Sequence, residues 1–409
     1  MKKSTALAIA LVMALSLSAC GGKEDGSSAT VSDVTTTKAE TVKDKTEKAE
    51  TEKEETEVHE ETTMEETAAE ETTAEEIEIE DATEPAELEY QIPDWDSLEY
   101  ADELDFITED VDGGVAITEY LGTNPIVKIP ETIEGKNVVQ IGTAYLDKRG
   151  EIKNYDKSPF IKGDITDVKL PDGVTKVDMC AFWGCNSLKS VSVPDSVTVI
   201  EQIAFAYCYN LESVNIPNGV TRIGNAAFRN CTSLKSITIP DSVTKISNWV
   251  FCECSSLKSI DIPKTVKNIG FGAFSGCSSI TELIYPENVI LDNGDYDNYE
   301  VTPINLVFCS SLKSIDIPNG VTYIGYGNDG GAFGECTSLE SVTIPNTVTE
   351  LGNSAFYRCT ALKSITIPDS ITKIDENAFA ECSEELEVTY GGTTYKYNQL
   401  PKLYSKLKD

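Results

Sequence analysis

Apolar and polar positions alternate in short runs that recur along most of the chain. A run begins with a leucine, places branched residues two positions apart and ends at a proline, as from Leu188 to Pro194. This alternation predicts a short strand with one face turned inward. Proline ends the strand because it has no N–H to donate to a neighbour. A second apolar pair, such as Val197 and Ile200, predicts a less regular return side. The Ala-Phe-x-x-Cys motif after it predicts a turn or short helical piece.

The runs repeat with a constant spacing. Prolines follow one another every 23 residues at first, and two later intervals are longer by nine and four residues. A single unit of this length cannot bury its own apolar face and must stack on its neighbours, so the period predicts a solenoid. The prolines that mark the repeat are Pro171, Pro194, Pro217, Pro240, Pro263, Pro286, Pro318, Pro345 and Pro368.

The expected fold is a β-rich, right-handed solenoid of 23-residue coils, in which short strands alternate with turns or short helical pieces. Residues 91–141 are expected to form an N-terminal cap and a degenerate first repeat, residues 142–385 the solenoid, and residues 386–409 a closing hairpin and tail. One aromatic position in each coil should form an internal column. Its expected members are Phe182, Phe205, Phe228, Phe251, Phe274, Phe333, Phe356 and Phe379.

Most of the 12 cysteines occupy one repeat position. Stacked coils hold such side chains parallel, which disfavours the dihedral angle of a disulfide, so buried thiols are expected and a disulfide framework is the alternative. Cys180 and Cys252 stand outside this column, and Cys252 is expected to be exposed. The column consists of Cys185, Cys208, Cys231, Cys254, Cys277, Cys309, Cys336, Cys359 and Cys382.

Leu-x-x-Ile-x-Ile-Pro, followed by Val-x-x-Ile and Ala-Phe-x-x-Cys, resembles the leucine-rich repeats of BspA-type bacterial surface proteins. The resemblance covers roughly residues 111–390 and is specific for the fold, because the motif recurs about nine times. It implies adhesion to host matrix proteins or to other bacteria. Function is less securely tied to such a fold, since one architecture serves many functions.

The first 90 residues predict an anchor and a spacer. Residues 1–19 have the basic start and apolar core of a signal peptide, and Leu-Ser-Ala-Cys resembles a lipobox that ends at Cys20. Cys20 is therefore expected to carry a lipid on the outer face of a bacterial membrane, with an unmodified signal peptide as the alternative. Residues 20–90 predict a disordered acidic linker, because they are almost all Thr, Glu, Lys and Ala.

Composition excludes several classes of function. The single histidine, His59, lies in the linker, so histidine-based catalytic and metal sites are not expected in the folded part. No phosphate-binding or nucleotide-binding glycine motif occurs. The net charge of −36 argues against a nucleic-acid partner. We expect a binding protein without a cofactor, monomeric and not an enzyme. A glycosidase, which needs only paired carboxylates, is the weaker alternative.

The outward positions of the first strand of each coil should form a ladder of small hydroxyl residues. A row of lysines runs beside it, interrupted by Glu212 and Glu340. Such a face can accept an extended chain, a glycan or an acidic protein, although a plain solvated sheet is the alternative. The lysines expected to contact a ligand are Lys189, Lys235, Lys258, Lys313 and Lys363.

The two longer intervals predict edge loops after the second apolar segments of adjacent coils. Loops placed in this way often bind ligands, and tyrosines among carboxylates and amides can hold a sugar or peptide. A calcium site and tolerated decoration are the alternatives. The candidate residues are Asp295, Tyr296, Asp297, Tyr299, Tyr323, Tyr326, Asn328 and Asp329.

Two main hypotheses follow for function. The first is a cell-surface lipoprotein that binds an extracellular protein or glycan through its strand ladder and edge loops, in adhesion or in contact with a host or other bacteria. The second is a structural envelope lipoprotein without an external ligand.

Overall fold

The computed structural model describes residues 90–143, 158–161, 164–291, 304–325 and 331–407. The signal peptide, Cys20 and residues 21–89 of the predicted linker lie outside these residues, whereas Tyr90, the last residue of that linker, lies within them. The described part forms a solenoid of stacked short coils, as the 23-residue period predicts.

The first coil opens with an antiparallel hairpin. Strands β1 (Phe106–Val111) and β2 (Gly114–Tyr120) pair with each other, and β2 then pairs in parallel with β5 (Lys136–Ile141). Strand β4 (Thr132–Ile133) pairs antiparallel with β5. The hairpin covers the end of the core because its strands place Phe106, Val115 and Ile117 in the interior.

One side of the coils forms the ladder sheet, whose neighbouring strands run parallel. The strands are β3 (Ile126–Lys128), β6 (Asp167–Lys169), β8 (Ser190–Ser192), β10 (Ser213–Val214), β15 (Ser314–Asp316), β17 (Ser341–Thr343), β19 (Ser364–Thr366) and β21 (Glu387–Tyr390). After β10 the pairing is reduced to bridges between Thr238 and Asp261 and between Glu282 and Ser314. Regular pairing resumes between β15 and β17, and again between β19 and β21.

The opposite side, the return sheet, is more regular than the sequence pattern predicts. Parallel pairing runs without a break from β2 through β5 to β14 (Ile290–Leu291), and from β16 (Tyr323–Ile324) to β20 (Lys373–Ile374). Equal coil lengths explain this, because they bring each buried isoleucine level with its counterpart, as Ile200 with Ile223. Its remaining strands are β7 (Lys176–Val177), β9 (Val199–Ile200), β11 (Arg222–Ile223), β12 (Lys245–Ile246), β13 (Asn268–Ile269), β14 (Ile290–Leu291), β16 (Tyr323–Ile324), β18 (Glu350–Leu351) and β20 (Lys373–Ile374).

The third side, the turn edge, consists of the Ala-Phe-x-x-Cys motifs and is held by hydrogen bonds between coils. Residues two before and two after the phenylalanine have positive φ in most coils, as Ile203 (52°) and Tyr207 (64°) do around Phe205. The N–H groups of Ile203, Phe205 and Tyr207 donate to carbonyls of the next coil at 2.9, 2.8 and 2.7 Å respectively. These bonds offset a left-handed conformation that costs about 1–2 kcal/mol per residue. Of the two forms that the sequence predicts for this motif, a turn or a short helical piece, the structure shows the turn.

The expected phenylalanine column is confirmed. Its eight members are at most 1% exposed, and neighbouring rings stack nearly parallel with centroids 5.1–5.9 Å apart. Phe160 extends the column by one ring, at 5.1 Å from Phe182. Leu306 is buried where the coil between Phe274 and Phe333 lacks an aromatic ring.

The column of buried thiols is also confirmed, and all eleven described cysteines are free. Eight of the column thiols donate to the carbonyl at the aromatic position of the preceding coil, at 3.0–3.3 Å. The expectation that Cys252 is exposed is wrong, since its exposed fraction is 3%. Ala206, Ser275 and Val307 at the same coil position are buried too, because this position faces the neighbouring turns.

The last coil is closed by a hairpin and a helix. Strand β21 pairs in parallel with β19 and antiparallel with β22 (Thr393–Lys396). Helix α1 (Leu400–Lys406), which the sequence pattern did not predict, then buries Leu400, Leu403 and Tyr404 against the core. Short 3₁₀ turns occur at Trp95–Ser97, Glu103–Asp105 and Tyr397–Gln399.

Candidate functional site

The outward positions of the ladder sheet carry small polar side chains, as the alternation predicts. In the C-terminal coils these residues are exposed: Ser314, Asp316, Ser341, Thr343, Ser364 and Thr366. On β3, β6 and β8 the equivalent positions are buried or half-buried, and Ser190 is only 3% exposed, whereas Asn215, Ser236 and Thr238 are exposed. The two ends of one face therefore differ in what covers them.

The N-terminal end of the ladder sheet is covered by the chain itself. Residues 90–101, which we call the strap, contact the ladder sheet at β3, β6 and β8. Lys128 donates to the carbonyl of Leu98 at 2.9 Å and lies 4.4 Å from the ring centroid of Tyr100. The N–H of Ala101 donates to the carbonyl of Lys128 at 2.8 Å. No periodicity in the sequence signals this contact.

The strap begins at a tyrosine that three ladder residues hold. The Tyr90 hydroxyl donates to the carboxylate of Asp167 and lies 3.5 Å from the Ser190 hydroxyl. Ser190 also donates to Asp167 at 2.6 Å, and the Lys189 ammonium lies 5.3 Å from the Tyr90 ring centroid. Burial raises the pKa of Asp167, although the Ser190 hydroxyl and Lys189 oppose that shift. We call Asp167, Lys189 and Ser190 the tyrosine seat.

A groove of about 430 Å³ lies between the strap and the ladder strands. Ile92 and Trp95 form its strap side, and serines, Asn215 and Thr238 contribute to the ladder side. The Asn215 amide is engaged with the backbone of Val193, at 2.7 and 3.0 Å. The indole N–H of Trp95 is buried and has no hydrogen-bond partner among the described residues.

The five lysines of the predicted row fall into different environments. Lys189 is half-buried against Tyr90, whereas the other four are exposed. Lys235 forms an ion pair with Glu212 at 3.1 Å, and Lys363 forms one with Glu385 at 3.1 Å. Lys258 and Lys313 both extend from the less regular middle of the ladder sheet.

Most edge-loop candidates lie outside the described residues, namely Asp295, Tyr296, Asp297, Tyr299, Tyr326, Asn328 and Asp329. Both loops follow strands of the return sheet, β14 and β16. The loops and the lysine row therefore start from different sides of the coil. Tyr323 is half-buried in β16, and its ring lies against Gly352, where a Cβ atom would overlap the tyrosine hydroxyl.

Sequence reasoning missed an aromatic cluster on the turn edge. Trp183 and Tyr207 meet edge to face at 6.1 Å, and the Arg229 guanidinium lies 5.7 Å from the ring of Trp249. These side chains pack against a small second core around Ile203. They occupy different positions within their coils, so the repeat pattern does not reveal the cluster.

Two kinds of feature are absent from the described residues. Within that part of the chain, no group of three or more His, Cys, Asp and Glu side chains could hold a metal ion. None of the helices there is long and apolar enough to cross a membrane.

Similar solved structures include three bacterial leucine-rich repeat proteins. A leucine-rich cell surface protein from Faecalibacterium prausnitzii is 26% identical, with 71% of this chain and 87% of that chain covered and a TM-score of 0.46. A protein from Bacteroides ovatus is 25% identical, with 70% and 87% covered and a TM-score of 0.41. One from T. pallidum is 26% identical, with 64% and 91% covered and a TM-score of 0.35. No curated protein sequence matches this chain.

The repeat itself matches a family model that covers more than half of the chain. The model describes a BspA type leucine rich repeat region of six copies, and it matches residues 153–281, 198–307 and 305–399. The matched residues include the phenylalanine and thiol columns from Phe182 to Cys382. This chain therefore belongs to the BspA-type leucine-rich repeat family.

Proposed function

We propose that this chain is a bacterial cell-surface recognition protein that binds an extracellular protein or glycan through its ladder sheet. The observation that carries the proposal is the occupation of the N-terminal end of this sheet by an extended segment of the chain. The strap is held through backbone and aromatic contacts, at Lys128 and at the tyrosine seat. The C-terminal end presents the same kind of surface uncovered, at β15, β17 and β19.

Binding rather than catalysis suits this surface. A catalytic carboxyl group needs an environment that shifts its pKa, and the open ladder residues are exposed. Repeated hydroxyls and spaced lysines suit a long ligand that contacts several coils, because each coil adds a similar small contribution. The edge loops with Tyr296, Tyr299 and Tyr326 could extend contact toward the return sheet.

A surface location is part of the proposal. It is supported by membership of the BspA-type family and by the lipobox-like sequence at Cys20. An acidic linker of residues 20–90 would hold the solenoid away from the membrane by self-repulsion.

An array of extracellular matrix proteins and glycans, probed with the full chain, tests recognition. We expect at least one ligand whose binding falls when Lys313 and Lys363 are changed to glutamate. A second variant with Tyr296, Tyr299 and Tyr326 changed to alanine asks whether the loops share that ligand. The matched control changes Lys245 and Lys267, which are exposed on the return sheet, to glutamate.

The control separates the ladder sheet from charge in general. Equal losses in the ladder and return-sheet variants would indicate nonspecific attraction and would contradict the proposal. An array without any bound ligand would favour the alternative, a structural envelope protein. Release of the wild-type chain from membranes by a lipoprotein-specific lipase, and not of a Cys20→Ala variant, would support the anchor.

A further inference from the structure

The tyrosine seat has a second copy on the uncovered part of the ladder sheet. In the seat, Ser190 pairs with Asp167 of the preceding coil, and Lys189 precedes the serine. In the later coils, Ser314 pairs with Glu282 of the preceding coil, and Lys313 precedes the serine. We call Glu282, Lys313 and Ser314 the second seat.

Backbone geometry is shared by the two seats. The N–H of Lys189 donates to the carbonyl of Thr166 at 2.7 Å, and the N–H of Lys313 donates to the carbonyl of Thr281 at 3.0 Å. The acceptor residue directly precedes the acidic residue in both cases. The lysine, serine and carboxylate therefore start from equivalent points on the sheet.

The combination is not a general property of the lysine row. Thr238 is bridged to Asp261, so the same register places Ser259, the serine after Lys258, opposite Ser236. The 23-residue spacing likewise places Ser236, after Lys235, opposite Ser213. It places Ser364, after Lys363, opposite Ser341. Only Lys189 and Lys313, among the five, adjoin a carboxylate at this position of the preceding coil.

We infer that the second seat binds a tyrosine of an extended segment from a partner polypeptide. The first seat shows the chemistry: a carboxylate accepts from the phenol, a serine hydroxyl lies beside it and an ammonium faces the ring. Glu282, Lys313 and Ser314 are exposed, so the partner would cover them as the strap covers Asp167 and Ser190. The inference rests on the proposed function and names its partner class.

The sequence of the strap suggests the form of that segment. Tyr90 is followed by Ile92 and Trp95, which border the groove over the neighbouring coils. A partner segment with a tyrosine and apolar residues two and five positions later would make equivalent contacts. The chain's own strap stays on the first seat because its attachment gives it a high effective concentration there.

The test uses a fluorescent peptide with the sequence of residues 86–101, titrated with the full chain and followed by anisotropy. We expect saturable binding at one site per chain. Changing Tyr90 to phenylalanine in the peptide should weaken binding about fivefold, because one hydrogen bond to a carboxylate is lost. The E282Q/K313M double variant should weaken it about tenfold or more.

Lys258→Met is the matched control, since Lys258 is an exposed lysine beside a serine but lacks the facing carboxylate. It should change the affinity less than about twofold, as expected of an exposed site outside the contact. Absence of saturable binding would overturn the inference, and so would equal effects of K258M and E282Q/K313M. Array ligands that persist in E282Q/K313M, together with an unchanged peptide affinity in that variant, would leave the proposed function intact while refuting the second seat.

Discussion

The N-terminal and C-terminal halves of the solenoid share a core but differ at the surface. Up to Leu291 the return sheet is continuous and the rings stack from Phe160 to Phe274, while the strap covers the first strands of the ladder sheet, β3, β6 and β8. From Ile304 onward the same columns continue, yet the outward residues of β15, β17 and β19 are exposed. The repeat therefore determines the interior, and segments outside the repeat determine which part of the face is open.

This difference shows how one repeat can supply both stability and recognition. Each coil buries the same residues against its neighbours, so surface positions can vary without loss of the core. The strap uses the ladder sheet at one end as a docking surface for an extended chain. The other end offers that surface to a partner.

The largest effect we expect is a loss of the free energy of unfolding at alkaline pH. Its size tests whether the two halves share one core. Burial raises the pKa of the nine column thiols, to about 12 for Cys185, Cys309 and Cys382 and well above the ordinary value for the others. Unfolded thiols lose their protons near pH 9, so the stability they contribute is complete below that pH and falls as pH rises toward 12. Above pH 9 each thiol that stays protonated in the fold lowers the free energy of unfolding by at most about 1.4 kcal/mol per pH unit, so the slope for all nine is at most about 12 kcal/mol per pH unit.

Denaturant unfolding between pH 7 and pH 10, under reducing conditions, measures this slope. Replacing Cys359 and Cys382 by alanine should reduce it by roughly two ninths, because each thiol contributes about equally. If the double variant and the unaltered chain lost the free energy of unfolding equally with pH, Cys359 and Cys382 would not be part of the core whose unfolding is measured. Two separate transitions would break the claim of a shared interior.

Loss of one stacked ring compares the halves directly. Phe228→Ala and Phe356→Ala should each lower the free energy of unfolding by about 3–5 kcal/mol, since both rings are fully buried between two others. Phe308→Ala is the control, because Phe308 is 49% exposed and should change stability by about 0.5 kcal/mol or less. If one of the two variants lost less than 50% of the free energy of unfolding that the other lost, the result would contradict equivalent packing of the two halves.

A smaller effect distinguishes the return sheets of the two halves. Gly352→Ala should cost about 1–3 kcal/mol, because its Cβ atom would overlap the ring of Tyr323. In a Tyr323→Ala background the cost should disappear. Gly224→Ala, at the same coil position in the N-terminal half, should not be rescued by removing a side chain, since its Cβ atom would meet the backbone of Gln202. Unfolding of the single and double variants gives the coupling energy.

Residues that repeat every 23 positions were predictable, and those outside the repeat were not. The columns through Phe205 and Cys208 follow directly from the period. Phe160 precedes the regular coils, so its place on the column cannot be read from spacing. The burial of Cys252 depends on the positive φ values of the turn edge, which the sequence does not reveal because non-glycine residues such as Ile203 adopt them.

The candidate site was predictable only in part. Alternation within each strand correctly placed the hydroxyls and lysines outward on one face. The strap was missed because Tyr90 and Asp167 are 77 residues apart and belong to no common pattern. Lys189 and Lys313 occupy the same repeat position, so sequence spacing treats them as equal. Their environments differ because Tyr90 contacts only Lys189 of the two.

Lysine labelling of the full chain tests the central claim, that the strap covers one end of a recognition face and leaves the other open. With an amine-reactive reagent and mass spectrometry, Lys128 and Lys189 should react several-fold more slowly than Lys258 and Lys313. Changing Tyr90 and Trp95 to alanine should bring Lys189 to the rate of Lys313. Equal rates for Lys189 and Lys313 in the unaltered chain would contradict the account.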